Sequence, residues 1–128
     1  GTERAVSKLA SIRMVRDHRE KVLRQIREAC AEALNDGAAE LLRVANNTVP
    51  YQEGVLSDSG NVEKATASDL VAKVGYGGAA SAYAARQHEE TGWRHAPGRR
   101  SKWLELAAKE DGPRIMRDVA ERARGRLG

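Results

Sequence analysis

Between Asp17 and Asn46 the apolar residues recur at steps of three and four: Val22, Leu23, Ile26, Cys30, Ala33, Leu34, Ala38, Leu41, Leu42 and Ala45. That period lays them along one face of a helix of about eight turns, and a face of that length must be covered by something. Asp17 reads as the N-cap, with Glu20 three residues on to complete a capping box. Gly37 interrupts the run at a cost of about 1 kcal/mol relative to alanine, so it either breaks the helix or lets another segment come close. Val49-Pro50 ends it, because the residue before proline is pushed out of the helical region. Residues 1–16, GTERAVSKLASIRMVR, are less regular. They read as a short helix or as an arm that orders only in an assembly.

The period then changes to two. In DLVAKVGY, Leu70, Ala72, Val74 and Tyr76 share one face while Val71, Lys73 and Gly75 take the other, which is the pattern of a half-buried strand. Val62 to Thr66 reads as its partner, with Ala67-Ser68-Asp69 as the turn. A Gly- and Ala-rich stretch from Gly75 to Arg100 is too long for a simple connection and is expected to hold a further strand or short helix around Tyr83 to Glu89. Ser101 reads as the cap of a helix whose inner face carries Trp103, Leu104 and Ala107. Pro113 suits the first turn of a last helix with a stripe of Ile115, Met116, Val119, Ala120 and Ala123. The order implies an α+β fold: a long N-terminal amphipathic helix packed on a small antiparallel sheet, with two shorter C-terminal helices. The 128 residues make one domain, residues 1–128.

A core drawn from three Tyr, two Trp, no Phe and many small aliphatics is thin, so such a chain is expected to finish burying its surface against copies of itself. The formal charge of +4 is unevenly spread: residues 49–92 hold 3 Lys/Arg against 6 Asp/Glu, and residues 93–128 hold 10 against 5. That asymmetry serves head-to-tail contacts between identical subunits, and equally a basic surface on DNA. One cysteine, Cys30, inside the apolar stripe excludes a disulfide framework and reads as a buried thiol. No apolar run approaches the ~18 residues of a membrane span, and a soluble protein folded in a cytoplasm is expected.

The chain offers little chemistry. His88, Glu89 and Glu90 followed by His95 have the wrong spacing for two ligands on one helical face. Gly75-Tyr76-Gly77-Gly78 lacks the Gly-Lys-Ser/Thr of a phosphate loop. Ser57 and Ser59 with Asp58 and His88 have no nucleophile elbow around them. Arg94, Arg99, Arg100 and Lys102 around Trp93 and Trp103 are the residue types that bind nucleic acid by stacking and phosphate pairing, and also those of an ordinary exposed loop. Neither an enzyme nor a cofactor or metal site is expected.

Taken in order, the long helix, VPYQEGVLSDSG, the hairpin ending VGYGG, YAARQHEETGWRH and GRRSKWLELAAKE resemble a family of tailed-phage neck proteins. These are called minor capsid, tail-component, head–tail joining or tail-completion proteins. The likeness runs over residues 20 to 110. In that family a Val-Pro precedes a Gly-x-Leu-x-x-Ser segment, matched by Gly54, Leu56 and Ser59. A Tyr-Ala pair with a downstream acid follows, matched by Tyr83, Ala84, His88 and Glu89, and then a short helix, matched by Lys102-Trp103-Leu104-Glu105. Glu53 stands where the family has threonine, and the basic C-terminus has no fixed counterpart.

The resemblance implies a non-enzymatic virion protein forming a ring at the head–tail junction. A hexamer is expected, with a dodecamer as the alternative. Tail terminator is the first role and head closure or minor capsid protein the second, with other neck or tail-tube proteins and packaged DNA as neighbours. Candidate subunit contacts are Tyr51, Val55, Leu56, Tyr83, His88, Glu89, Trp93, Arg99 and Arg100, with Tyr83 and Trp93 at or beneath such contacts. The reading from another class is a small basic DNA-binding protein.

Overall fold

The computed structural model describes residues 2–50, 59–77, 81–86, 92–95 and 101–127. Helix α1 runs unbroken over Thr2–Thr48. It is followed by strands β1 (Gly60–Glu63), β2 (Val71–Tyr76), β3 (Ser81–Arg86) and β4 (Arg94–His95), and then by α2 (Lys102–Glu110) and α3 (Gly112–Leu127). The strands form one antiparallel sheet in the order β1-β2-β3-β4. The architecture is α+β as expected, with the long helix against the sheet and two shorter helices closing it.

One expectation about α1 is corrected, and of the two readings of Gly37 the close approach holds. Asp17 is not an N-cap, because the helix is already helical there and continues back to Thr2; Ala, Arg, Lys, Leu and Met in residues 2–16 are all strong helix formers, with no proline or glycine among them to stop the run. Gly37 does not break the helix either. A Cβ built at Gly37 would lie 2.5 Å from Val119 Cγ2 and 3.3 Å from Ile115 Cγ2, so the missing side chain is what lets α3 seat against α1. The α3 helix runs antiparallel to α1. Arg114, near its start, lies 3.4 Å from Glu40, and Arg126, at its end, reaches Glu32 at 2.6 Å and Asp36 at 2.9 Å.

The core follows from these two surfaces. Ala33, Leu34, Ala38, Leu41 and Ala45 of α1 are buried, facing Ile115, Val119 and Ala123 of α3, Leu104 and Ala107 of α2, and Ala72, Val74, Tyr76, Tyr83 and Ala85 of the sheet. Leu34, Leu41, Leu104 and Ile115 are at most 1% exposed, sites where truncation to alanine costs about 2–5 kcal/mol each. Trp103 is only half-buried, and Ala108 takes the interior place beside Ala107. Ser101 does cap α2, its hydroxyl accepting the Leu104 N–H at 3.4 Å.

The first strand of the hairpin starts two residues before the expected Val62 and ends at Glu63, short of the expected Thr66. Val62 pairs with Val74 and Glu63 with Lys73, but Ala65 leaves the ladder. Its N–H and C=O are both taken by the Asn35 side-chain amide of α1, at 2.7 and 3.0 Å. Only a bridge between Thr66 and Asp69 then closes the turn. Arg27 Nε donates to Ala67 O at 2.6 Å, and Tyr76 Oη donates to Asn46 Oδ1 at 2.6 Å, so α1 grips the hairpin at both ends. The third strand lies at Ser81–Arg86, within the region expected for it, and β4 is an added strand of two residues beside it.

The packing predicts opposite outcomes for one substitution at two helical glycines. Gly37→Ala destabilises by about 1–3 kcal/mol, because overpacking against Val119 outweighs the gain of about 1 kcal/mol in helix propensity. Gly125→Ala, where a Cβ meets nothing within 4 Å, stabilises by roughly 0.5–1 kcal/mol. Urea unfolding of both variants reads the difference, and a stabilised Gly37→Ala would show that α1 and α3 are further apart than described here.

Burial pushes the Tyr76 hydroxyl up to about 12 from its ordinary 10. Below pH 10 the residue contributes its full stabilisation. Between pH 10 and 12 the unfolded chain releases this proton while the folded chain holds it, so stability falls as pH rises through that window. Tyr76→Phe costs about 1 kcal/mol at neutral pH through the lost bond to Asn46, and the gap between variant and wild type closes from pH 10 to 12. Thermal unfolding across that range checks it, and a gap that stays constant would mean the hydroxyl is not desolvated.

Candidate subunit interface

Of the nine expected contact residues, Tyr51, Val55, Leu56, His88, Glu89, Arg99 and Arg100 lie outside the described residues. The other two are interior. Tyr83, from the middle of β3, is 5% exposed, and Trp93, just before β4, is 7% exposed. Register explains the burial of Tyr83: it pairs with Val74 on one side and His95 on the other, on the sheet face that α1 covers. Its ring meets the His95 imidazole edge-on, with centroids 5.5 Å apart at 79°. Trp93 fits against the start of α3, where a Cβ on Gly112 would sit 3.3 Å from its Cδ1. Gly92 makes the turn that delivers the indole, with φ at +80°, a conformation side chains resist. Both residues belong to the chain's own core.

His95, set aside in the sequence as a metal ligand, is the third member of this corner. Tyr83, Trp93 and His95 line a shallow concavity completed by Glu105, Ala108, Lys109 and Pro113. Trp93 Nε1 and His95 Nε2 are buried without a hydrogen-bond partner among the described residues. Beside the corner, Lys102 Nζ lies 4.5 Å above the Trp103 ring, so one of the basic residues noted near the tryptophans is engaged within its own helix.

Four ion pairs among the described residues hold α1 and α3 together. Glu40 receives Arg43 at 2.6 Å and Arg114 at 3.4 Å, and the Arg43 hydrogen bond is the main reason its carboxyl is held below the ordinary range. Arg114 also faces Asp111 and Asp118, and Arg122 faces Asp36 at 3.4 Å. Cys30 is buried and desolvation raises its thiol, which makes it a poor nucleophile. Among the described residues no three His, Cys, Asp or Glu side chains gather as a metal site would need, and no helix is long and apolar enough to cross a membrane.

What the body does not absorb is the first half of α1. Residues 6–28 are exposed throughout, so the helix outruns the domain by about 35 Å at 1.5 Å per residue. Eight large apolar side chains stand on that arm: Val6 at 64% exposure, Leu9 at 66%, Met14 at 72%, Val15 at 61%, and also Ile12, Val22, Leu23 and Ile26. Expected core residues Val22, Leu23 and Ile26 are therefore uncovered within one chain. The arm also carries the charge imbalance. Residues 1–28 hold 8 Lys/Arg against 4 Asp/Glu, a net +4, which equals that of the whole chain. The signal was present in the sequence as Leu9, Ile12 and Val15, but only the end of α3 beside Gln25 and Glu28 shows where cover stops.

Comparison of the chain with protein-family models, curated proteins and solved structures finds no match in any of the three.

Proposed function

We propose that the protein is a non-enzymatic structural subunit of a tailed-phage virion, assembling as a ring in the neck where head meets tail. The observation that carries the reading is the arm: a helix with eight exposed large apolar side chains, in a chain whose ordered motifs resemble neck proteins. A lone helix gains most of its stability in water from packing its apolar face, so the arm of an isolated subunit is marginal and a neighbour completes it. Identical subunits joined through unlike surfaces close into rings, the form a neck requires. Tail terminator is the first role within this reading, and head closure or minor capsid protein the second. Tail-tube or other neck proteins are its axial neighbours.

The concentration of the net +4 in residues 1–28 favours one second reading, a basic DNA-binding protein. The two part on salt. A DNA binder loses affinity linearly in log salt by about 0.9 per phosphate contact, and DNA binding is its dominant interaction.

Electron microscopy of lysates from a phage lacking this protein tests the reading. Filled heads beside unattached, overlong tails are expected for a terminator, and normal-length free tails beside empty heads for a closure protein. Intact infectious particles would overturn the neck assignment and leave DNA binding in its place.

A further inference from the structure

We propose that the projecting segment of α1 packs side by side with the same segment of neighbouring copies, so that the arms of a ring form a helical tube with Arg19 turned toward its lumen. The proposal rests on reading the protein as a ring subunit.

At 100° per residue six of the eight exposed large apolar side chains of the arm fall into two flanks, with Val6 and Met14 on the other side of the helix. Val15, Val22 and Ile26 make one, and Leu9, Ile12 and Leu23 the other, spanning together roughly 140°. Arg19 lies between the flanks, and Lys8 falls in line with Ile26 at the inner edge of the first. An arc of that width exceeds the narrow two-in-seven seam by which two helices pair. A two-stranded pairing through its centre would also bury Arg19 against the partner, without an acid on that face to receive it. A helix with one neighbour on each side uses both flanks and leaves the line between them facing a water-filled channel, where Lys8 and Arg19 stay hydrated.

The charges agree with this placement. Asp17, Glu20 and Glu28 project from the opposite side of the arm, interspersed with Arg13, Lys21 and Arg24, so the outward face is balanced. The uncompensated cations are those on the apolar side. Arg16, within the Leu9 flank, covers part of it with its stem and keeps its guanidinium in solvent. The occupant is therefore a second copy of this arm in parallel, its Val15 flank laid on the neighbour's Leu9 flank. Each junction covers on the order of 500 Å² of apolar side chain, less than the ~1,200 Å² of a stable pair. Assembly through the arms is thus weak for two copies and gains when the ring closes. A tube lined by lysine and arginine attracts an anionic polymer along its axis.

Sedimentation equilibrium of the full chain, from micromolar to about 1 mM, tests it. Wild type is expected to self-associate beyond a dimer. Val15→Glu with Val22→Glu disables one flank, and Ile12→Glu with Leu23→Glu disables the other; each double variant should self-associate at least tenfold more weakly. These positions are exposed, so the thermal unfolding of the body stays unchanged, which excludes misfolding as the cause. An equimolar mixture of the two variants retains one intact flank of each kind but cannot close a ring, so it should not grow beyond a one-to-one pair. A mixture that grows beyond a pair, a wild type that stops at dimer or stays monomeric to about 1 mM, or a double variant that assembles normally overturns the tube. A neck phenotype in the phage deletion together with any of these results removes the arms and keeps the ring, whereas intact particles remove the ring whatever the arms do.

Discussion

The approach of α3 to α1 at Gly37 is the constraint on which the other contacts depend. A methyl group there would stand 2.5 Å from Val119, so the helices meet at a spacing that only glycine permits. That spacing sets Ile115, Val119 and Ala123 into the interior and aligns Arg114, Arg122 and Arg126 with Glu40, Asp36 and Glu32 along the rim. The rim pairs are solvent-exposed and individually weak. They fix the direction and register of α3 more than they stabilise it; the buried aliphatics supply the stability. With α3 in place the body ends beside Gln25, and residues 6–24 of α1 are left to solvent.

The second hold on α1 is polar. Asn35 binds both backbone groups of Ala65, and Asn46 receives the Tyr76 hydroxyl, so the sheet is fixed to the helix at two points eleven residues apart, three turns of one face. Both asparagines sit beside the apolar stripe. The Asn35 contact also explains why β1 stops at Glu63: once its N–H and C=O are satisfied by a side chain, Ala65 has nothing left to offer a strand.

Much of this was legible from periodicity. The helical face from Cys30 to Ala45, the alternation of Ala72, Val74 and Tyr76, the Ser101 cap and the stripe of α3 all appear where their spacing puts them. The failures have local causes. Asp17 and Glu20 have the residue types of a capping box, but those types are also compatible with a helix interior, and nothing before them breaks the chain. Gly37 carried two readings, and only the tertiary partner chose between them. β4, with two residues, is too short to show a period, and it exists because Tyr83 and Ala84 offer His95 and Arg94 a ladder. The candidate interface was legible only in half. Leu9, Ile12 and Val15 were visible as apolar, yet whether such residues are core or surface depends on where α3 ends, which no local pattern in residues 1–28 encodes.

That dependence has a consequence for how the charge is read. Divided at the loops, the sequence shows an acidic middle and a basic C-terminal third, a distribution that points to contacts between bodies. Divided where the structure uncovers α1, residues 29–128 hold 14 Lys/Arg against 14 Asp/Glu and are neutral, since the arm has the entire excess. Three basic residues of the C-terminal third, Arg114, Arg122 and Arg126, face acids of α1 and α3 within the same chain. A neutral body and a cationic, apolar arm are suited to different tasks. Bodies without net charge do not repel one another when crowded into a ring, and the arm brings apolar surface and positive charge together in a single segment. On the proposed ring reading, its lysines and arginines would also oppose non-specific clumping of the exposed leucines and isoleucines, so the residues that favour an anionic axis would keep the arm soluble before assembly.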